Sequence, residues 1–148
     1  MTDPARFTVE RRYAMAADAH FACILNYDEL AEAMEGQVSY DGLPSGEARP
    51  GQAFEVKLKL FGWLPIGTWR IEVMLRDDKA RRLESFECGG AVKAWRHVIT
   101  VQPDGQGCVH RDALEIDAGW LTGFYARTAR RMYEKRHDLR ATLRGETS

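Results

Sequence analysis

IDAGWLTGFYARTARRMYEKRHDLRATLR, residues 116–144, decides how the rest of this 148-residue chain is read. Asp117, Ala118 and Gly119 form an acidic turn, and a long stretch of helix formers follows with no proline. Leu121, Phe124, Tyr125, Thr128, Met132, Arg136, Leu139 and Leu143 recur at three- and four-residue steps, the spacing of one helix face. Arg127, Arg130, Arg131, Lys135, Arg140 and Arg144 fall on the other face, which reads as solvated. Between residues 38 and 117 the period is two. A long amphipathic helix after a run of strands describes an α+β fold: a curved antiparallel sheet gripping a helix and enclosing a cavity.

The strands are legible one by one. Phe54, Val56, Leu58 and Leu60 alternate with Glu55, Lys57 and Lys59 in the cleanest of them. A hairpin loop over residues 61–67 leads to Trp69, Ile71, Val73 and Leu75, which alternate with Arg70, Glu72 and Arg76. Residues 82–87 make the next strand, and Gly89-Gly90 breaks it. Trp95, His97, Ile99 and Val101 mark another, turned by Pro103, Asp104, Gly105 and Gly107 into residues 108–116. Upstream, Phe7, Val9, Arg11 and Tyr13 predict a first strand. Asp18 is a cap for a short helix over 19–25, and a second helix over 29–34 is closed by Gly36 before the short strand 38–40. The expectation is about seven strands, two short helices after strand 1 and a long C-terminal helix, in a single domain over residues 1–148.

Composition excludes several classes. With 21 Lys and Arg against 22 Asp and Glu, the formal charge of −1 gives no electrostatic reason for a nucleic-acid partner. Residues 1–12 are polar and mixed in charge, unlike a signal peptide, and no apolar run is long enough for integral membrane association. Cys23, Cys88 and Cys108 are odd in number and lack CxxC spacing, so reduced thiols in a cytoplasmic protein are expected.

The stretch ECGGAVKAWRH (residues 87–97), the strand HRDALEI (110–116) and the closing helix together resemble the SRPBCC superfamily. Its members share the helix-grip fold of START lipid-transfer domains, the birch-pollen allergen and bacterial aromatase/cyclases. The resemblance runs through nearly the whole chain and is one of fold. It implies a sheet curved enough to hold the helix off its floor, and it assigns no catalytic residue, because the superfamily has no universal catalytic motif.

The chemistry must therefore come from the residues. His97 shares a face with Trp95, Ile99 and Val101, and His110 and Asp112 share one with Leu114 and Ile116, so all three are expected to point inward. A bulge at Gly89-Gly90 would reverse that. His97, His110, Asp112 and Tyr125 are the candidate proton-transfer residues. The plainer reading, a satisfied hydrogen-bond network tying strands to helix, has the greater weight. No metal is expected: Cys108, His110 and Asp112 stand almost 7 Å apart along a strand face, awkward for a tight tetrahedron. No cofactor is expected either. His20 and His137 read as exposed, Ser39, Ser45 and Ser85 lack a nucleophile elbow, and Cys23 reads as a small core residue.

Phe54, Leu58, Trp69, Val73, Phe86, Trp95, Trp120, Phe124 and Met132, with His97 among them, are expected to line the cavity. Phe61, Trp63, Leu64, Pro65 and Ile66 are too apolar for a solvated turn. They are expected to be covered, by the closing helix at the cavity mouth or by a second subunit in a homodimer. The functional expectation is binding of a hydrophobic or amphipathic small molecule: a lipid, a polyketide-like compound or an aromatic metabolite. The alternatives are an enzyme of the aromatase/cyclase or dehydratase type using the same pocket, and an interaction module whose cavity has collapsed.

Overall fold

The computed structural model describes residues 3–146. Strand β1 (Ala5–Tyr13) is followed by helices α1 (Ala17–Ile24) and α2 (Tyr27–Ala33), then β2 (Val38–Asp41) and β3 (Ala53–Leu60). Next come β4 (Leu64–Asp77), β5 (Arg82–Gly89), β6 (Val92–Asp104) and β7 (Gly107–Asp117). One 3-10 turn (Gly119–Leu121) leads into α3 (Thr122–Leu143). All seven strands form one antiparallel sheet in the order β1-β7-β6-β5-β4-β3-β2, curled around α3. This is the helix-grip fold.

Alternation sets the inner face. On β7, Cys108, His110, Asp112, Leu114 and Ile116 are buried, and on β6 so are Trp95, His97 and Val101. The irregularity at the β5–β6 turn lies between Glu87 and Gly89 and is absorbed there. Beyond it Trp95 stands opposite Glu87 and His97 opposite Ser85, so the inward parity of β6 survives. That same pairing turns β5 the other way from expectation. Leu83, Ser85 and Glu87 face the interior, and Phe86 lies on the outer face beneath the Arg96 guanidinium, 5.3 Å from its ring centre.

The long helix is rotated from its expected setting. Its buried stripe is Thr122, Ala129, Tyr133, Arg136, His137, Arg140 and Ala141, while Phe124 is 59% and Leu143 53% exposed. The reason is polar. Tyr133, His137 and Arg140 find partners on the sheet and on α2, and these bonds outweigh the apolar spacing that places Phe124 and Thr128 inside. In α1 no side chain caps the N-terminus, and Asp18 pairs instead with Arg81 at 3.0 Å. Asn26 does cap α2, accepting from the Asp28 amide at 2.8 Å.

Strand β4 begins at Leu64, five residues before the expected start, and pairs with β5 only from Arg70 onward. The hairpin of β3 and β4 therefore runs past the end of β5 as a two-stranded ribbon. Its turn places both Phe61 (φ 55°) and Gly62 (φ 77°) in the left-handed region, which matches the twist of the flanking strands. At the opposite end of the sheet, a Cβ on Gly107 would lie 2.3 Å from the Tyr13 carbonyl oxygen. Neither backbone can yield without breaking the β1–β7 ladder. Gly107→Ala is expected to lower stability by ~1–3 kcal/mol, read as a reduced denaturant midpoint; an unchanged midpoint would show that this crossing is not close-packed.

Candidate functional site

All four histidines of the chain meet in one buried network centred on Asp112. His97 Nε2 lies 2.6 Å from Asp112 Oδ1, and His137 Nε2 lies 2.6 Å from Oδ2. His110 Nε2 stands 3.4 Å from Oδ2, near it but outside a well-formed bond. On its other side, His110 Nδ1 meets His20 Nε2 at 2.8 Å, and His20 Nδ1 meets the Arg144 guanidinium. The Tyr13 hydroxyl is 2.6 Å from His137 Nδ1, and the Tyr133 hydroxyl is 3.4 Å from His97 Nδ1.

The donors order themselves. An arginine only donates, so His20 accepts at Nδ1 and donates from Nε2 to His110. His110 then keeps its own proton on Nε2, facing the carboxylate. An ionised carboxylate only accepts, so His97 and His137 turn their Nδ1 lone pairs to the phenols. Burial, which pushes Tyr13 up to about 12 and raises Tyr133, keeps on both phenols the protons they donate. His97 and His137 therefore also present N–H to Asp112. Every bond runs toward one acceptor. Burial works against the Asp112 charge, but His110 beside it and the bonds from its histidine neighbours hold its carboxyl well below the usual range. Burial likewise lowers the pKa of His20 and His137 and brings His110 down to about 3 despite the pull of Asp112.

His110, Asp112 and His137 offer ligand atoms within 4.8 Å of one another, a spacing a metal ion could use. The polarity just described points N–H groups, not lone pairs, at the carboxylate. The set fits a hydrogen-bonded network, with His110 its loosest member, better than a metal centre.

Through His97 and Tyr133 the network reaches a cavity of about 100 Å³ between the sheet and the three helices. Ile24, Leu25, Leu30, Ile71, Val73 and Leu83 make its apolar side. Tyr40, Glu87, His97, Tyr133 and Arg136 converge on the other. Glu87 is held there by the Trp69 indole N–H at 2.9 Å and by the Ser85 hydroxyl at 3.3 Å. Arg136 lies over the Tyr133 ring at 4.3 Å and donates toward Met34 Sδ at 3.0 Å. Arg140 binds Glu29 at 2.5 Å and leaves one guanidinium nitrogen without a protein partner.

Of the residues expected to line the cavity, Val73 and His97 do. Leu58 is buried among Met34, Val38, Val56 and Ile71, and Phe54 packs edge-on to Tyr27 at 5.4 Å. Trp69, Trp95 and Met132 belong to the packed layer behind the cavity, the two indoles meeting edge-on at 5.6 Å. Trp120 is 87% exposed and, with Phe124 and the outward Phe86, contributes nothing to the lining. Tyr125 packs beside Phe124 at the helix start, about 12 Å along the axis from Tyr133, which takes the place beside His97. His97, His110 and Asp112 do come together, joined by two histidines that sequence reading set at the surface: His20 and His137 are 0% and 1% exposed. The ribbon residues Phe61, Trp63, Leu64 and Ile66 are all exposed, and α3 does not cover them.

Residues 4–143 match the family model described as "Polyketide cyclase / dehydrase and lipid transport", and the chain belongs to that family. No curated protein sequence matches it. Among solved structures it is similar to a Chromobacterium violaceum protein at 16% identity and a TM-score of 0.72, over 93% of this chain and 95% of the other. Norcoclaurine synthase of Thalictrum flavum, as a point mutant with a transition-state analogue, aligns at 13% identity and TM-score 0.69, covering 97% and 96%. Ara h 8.0201 aligns at 9% identity and TM-score 0.69, covering 97% and 99%. At these identities the likeness is one of fold.

Proposed function

We propose that the protein binds one small amphipathic molecule, the size of a single ring or a short branched chain, between its sheet and α3. The observation that carries this reading is the two-sided cavity. An aliphatic wall can desolvate a ligand's body, while Tyr40, Glu87, His97, Tyr133 and Arg136 can meet its polar group. The volume limits the ligand. About 100 Å³ is below the ~150 Å³ that admits benzene and well below the ~300–1,000 Å³ of most ligand sites. Even a single ring therefore requires the aliphatic wall to give a little, and a lipid or polyketide chain requires it to open. Calorimetric titration of p-cresol and toluene tests the idea. Saturable one-site binding with p-cresol favoured, abolished by Val73→Phe, is expected; failure of both compounds with folded protein, or full binding by Val73→Phe, overturns it.

A second reading has one observation in its favour. His97 faces the cavity with Asp112 bonded to its far nitrogen and Tyr133 beside its near one. The Nδ1 lone pair of His97, which otherwise takes the Tyr133 hydroxyl, can receive a proton from a bound molecule either through Tyr133 or in its place, because the carboxylate stabilises the imidazolium that forms. Under this reading the protein is a proton-transfer enzyme of the cyclase or dehydratase kind. His97→Gln then leaves ligand binding within a few-fold and removes turnover.

A further inference from the structure

We propose that the β3–β4 ribbon and the start of α3 dock on the surface of an anionic lipid bilayer. The ladder brings the pieces to one end of the molecule. Arg70 stands opposite Cys88, Gly89 opposite Val92, and Ala94 opposite Asp117. The ribbon tip, the β5–β6 turn and the β7–α3 junction therefore project from the same end of the sheet. Two of these three carry exposed apolar side chains: Trp63 at 71% and Phe61 at 64% on the ribbon, Trp120 at 87% and Phe124 at 59% at the junction. Gly62 and Gly67 supply the positive φ that the tip requires, and Pro65 stiffens it. Large aromatic groups left in water at one end of a chain mark a contact surface.

Charge identifies the occupant. Residues 57–71, 89–97 and 118–133 carry Lys57, Lys59, Arg70, Lys93, Arg96, Arg127, Arg130 and Arg131, all exposed, and no acidic residue. That is eight cations in a chain whose net charge is −1. Of the carboxylates near this end, Asp117 accepts from the Gly119 amide, Glu87 accepts from the Trp69 indole and Glu55 stands opposite Arg70 on the ladder, while Glu35 and Asp3 are exposed and leave the cations in clear excess. A symmetric pairing of two copies would set the same eight cations face to face, which disfavours a homodimer here. A membrane interface with acidic headgroups suits both features. Indole and phenyl rings settle at the headgroup level, and clustered Lys and Arg are drawn by the negative surface potential. No helix among the described residues is long and apolar enough to cross a membrane, so the attachment is peripheral.

The test is co-sedimentation of the full chain with phosphatidylcholine vesicles, with and without phosphatidylserine. Binding to the phosphatidylserine vesicles at low salt, weakened as salt rises, is expected. The triple variant Lys57→Gln, Lys59→Gln, Lys93→Gln should lose on the order of a hundredfold in partition. Trp63→Ser with Leu64→Ser should lose roughly tenfold or more, with thermal melting unchanged since these side chains touch no core. Equal binding to both vesicle types, no binding to either, or indifference to both variants overturns the proposal. A wild-type dimer that the Trp63→Ser, Leu64→Ser variant dissociates would assign the patch to a second copy and overturn it as well. None of these outcomes bears on whether the cavity takes a ligand.

Discussion

Asp112→Ala is expected to bring the protein to the edge of unfolding. The side chain is 1% exposed and accepts from His97 and His137, with His110 turned toward it. Alanine leaves those N–H groups in a dry interior with nothing to bond, and breaking a buried charged network of this kind costs about 3–5 kcal/mol. Set against a total of ~5–15 kcal/mol for an ordinary domain, that is a large share of what holds the chain together. Asp112→Asn keeps the shape but offers one acceptor oxygen and an amide that must itself donate. One histidine has to reverse its tautomer or lose its bond, a loss of about 1–3 kcal/mol. Urea titrations should rank the midpoints wild type, then Asn, then Ala. Equal midpoints for all three would mean that Asp112 does not organise the histidines.

The architecture was legible because it rests on periodicity, and periodicity reports how backbone meets solvent. Strands β3, β6 and β7 alternate cleanly, so the inward parity of His97, His110 and Asp112 followed directly. Legibility failed where polar partners overrode apolar spacing. Reading α3 for apolar residues chose Phe124 and Thr128, whereas Ala129, Tyr133, His137 and Ala141 lie along the buried side. The signal was present as an i, i+4 row of two small and two hydrogen-bonding residues, but nothing local says that Tyr13 and Asp112 await them across the sheet. His20 was hidden for a similar reason: a histidine in a short helix reads as exposed until the strand behind it supplies His110.

The lining was misjudged through size. Large aromatics were expected to wall a spacious container, yet Trp69 and Trp95 fill the space behind it and Trp120 leaves it altogether. What remains is bounded by medium aliphatic side chains and by the polar group of Glu87, His97 and Arg136. The same packing that shrinks the cavity makes its polar end rigid. Asp112 fixes His97, Tyr133 is held between His97 and Arg136, and Trp69 and Ser85 fix Glu87. A site of this kind discriminates by hydrogen bonds more than by volume, since a mismatched ligand leaves buried donors unpaired.

Acid should expose the network more sharply than any single substitution. Burial lowers the folded-state pKa of His20, His110 and His137, that of His110 to about 3. In the unfolded chain each titrates near 6.5. Below that pH the unfolded state binds protons that the folded state refuses, so stability present above about pH 6.5 is lost as the pH falls. Each proton contributes about 1.4 kcal/mol per pH unit, so His20 and His110 together give a slope of ~3, and His137 adds to it in the same direction. Asp112 acts in the same direction but later: its folded pKa is depressed, and its contribution fades only as the pH drops below its unfolded value near ~3.9. Urea midpoints measured from pH 8 downward should be flat to about pH 7 and then fall steeply, with acid unfolding below about pH 5 for ordinary stability. His20→Asn is expected to reduce the slope by one proton. Stability that stays level between pH 6.5 and 5 would show these histidines to be charged in the folded protein, and the direction of every bond toward Asp112 would have to be reassigned.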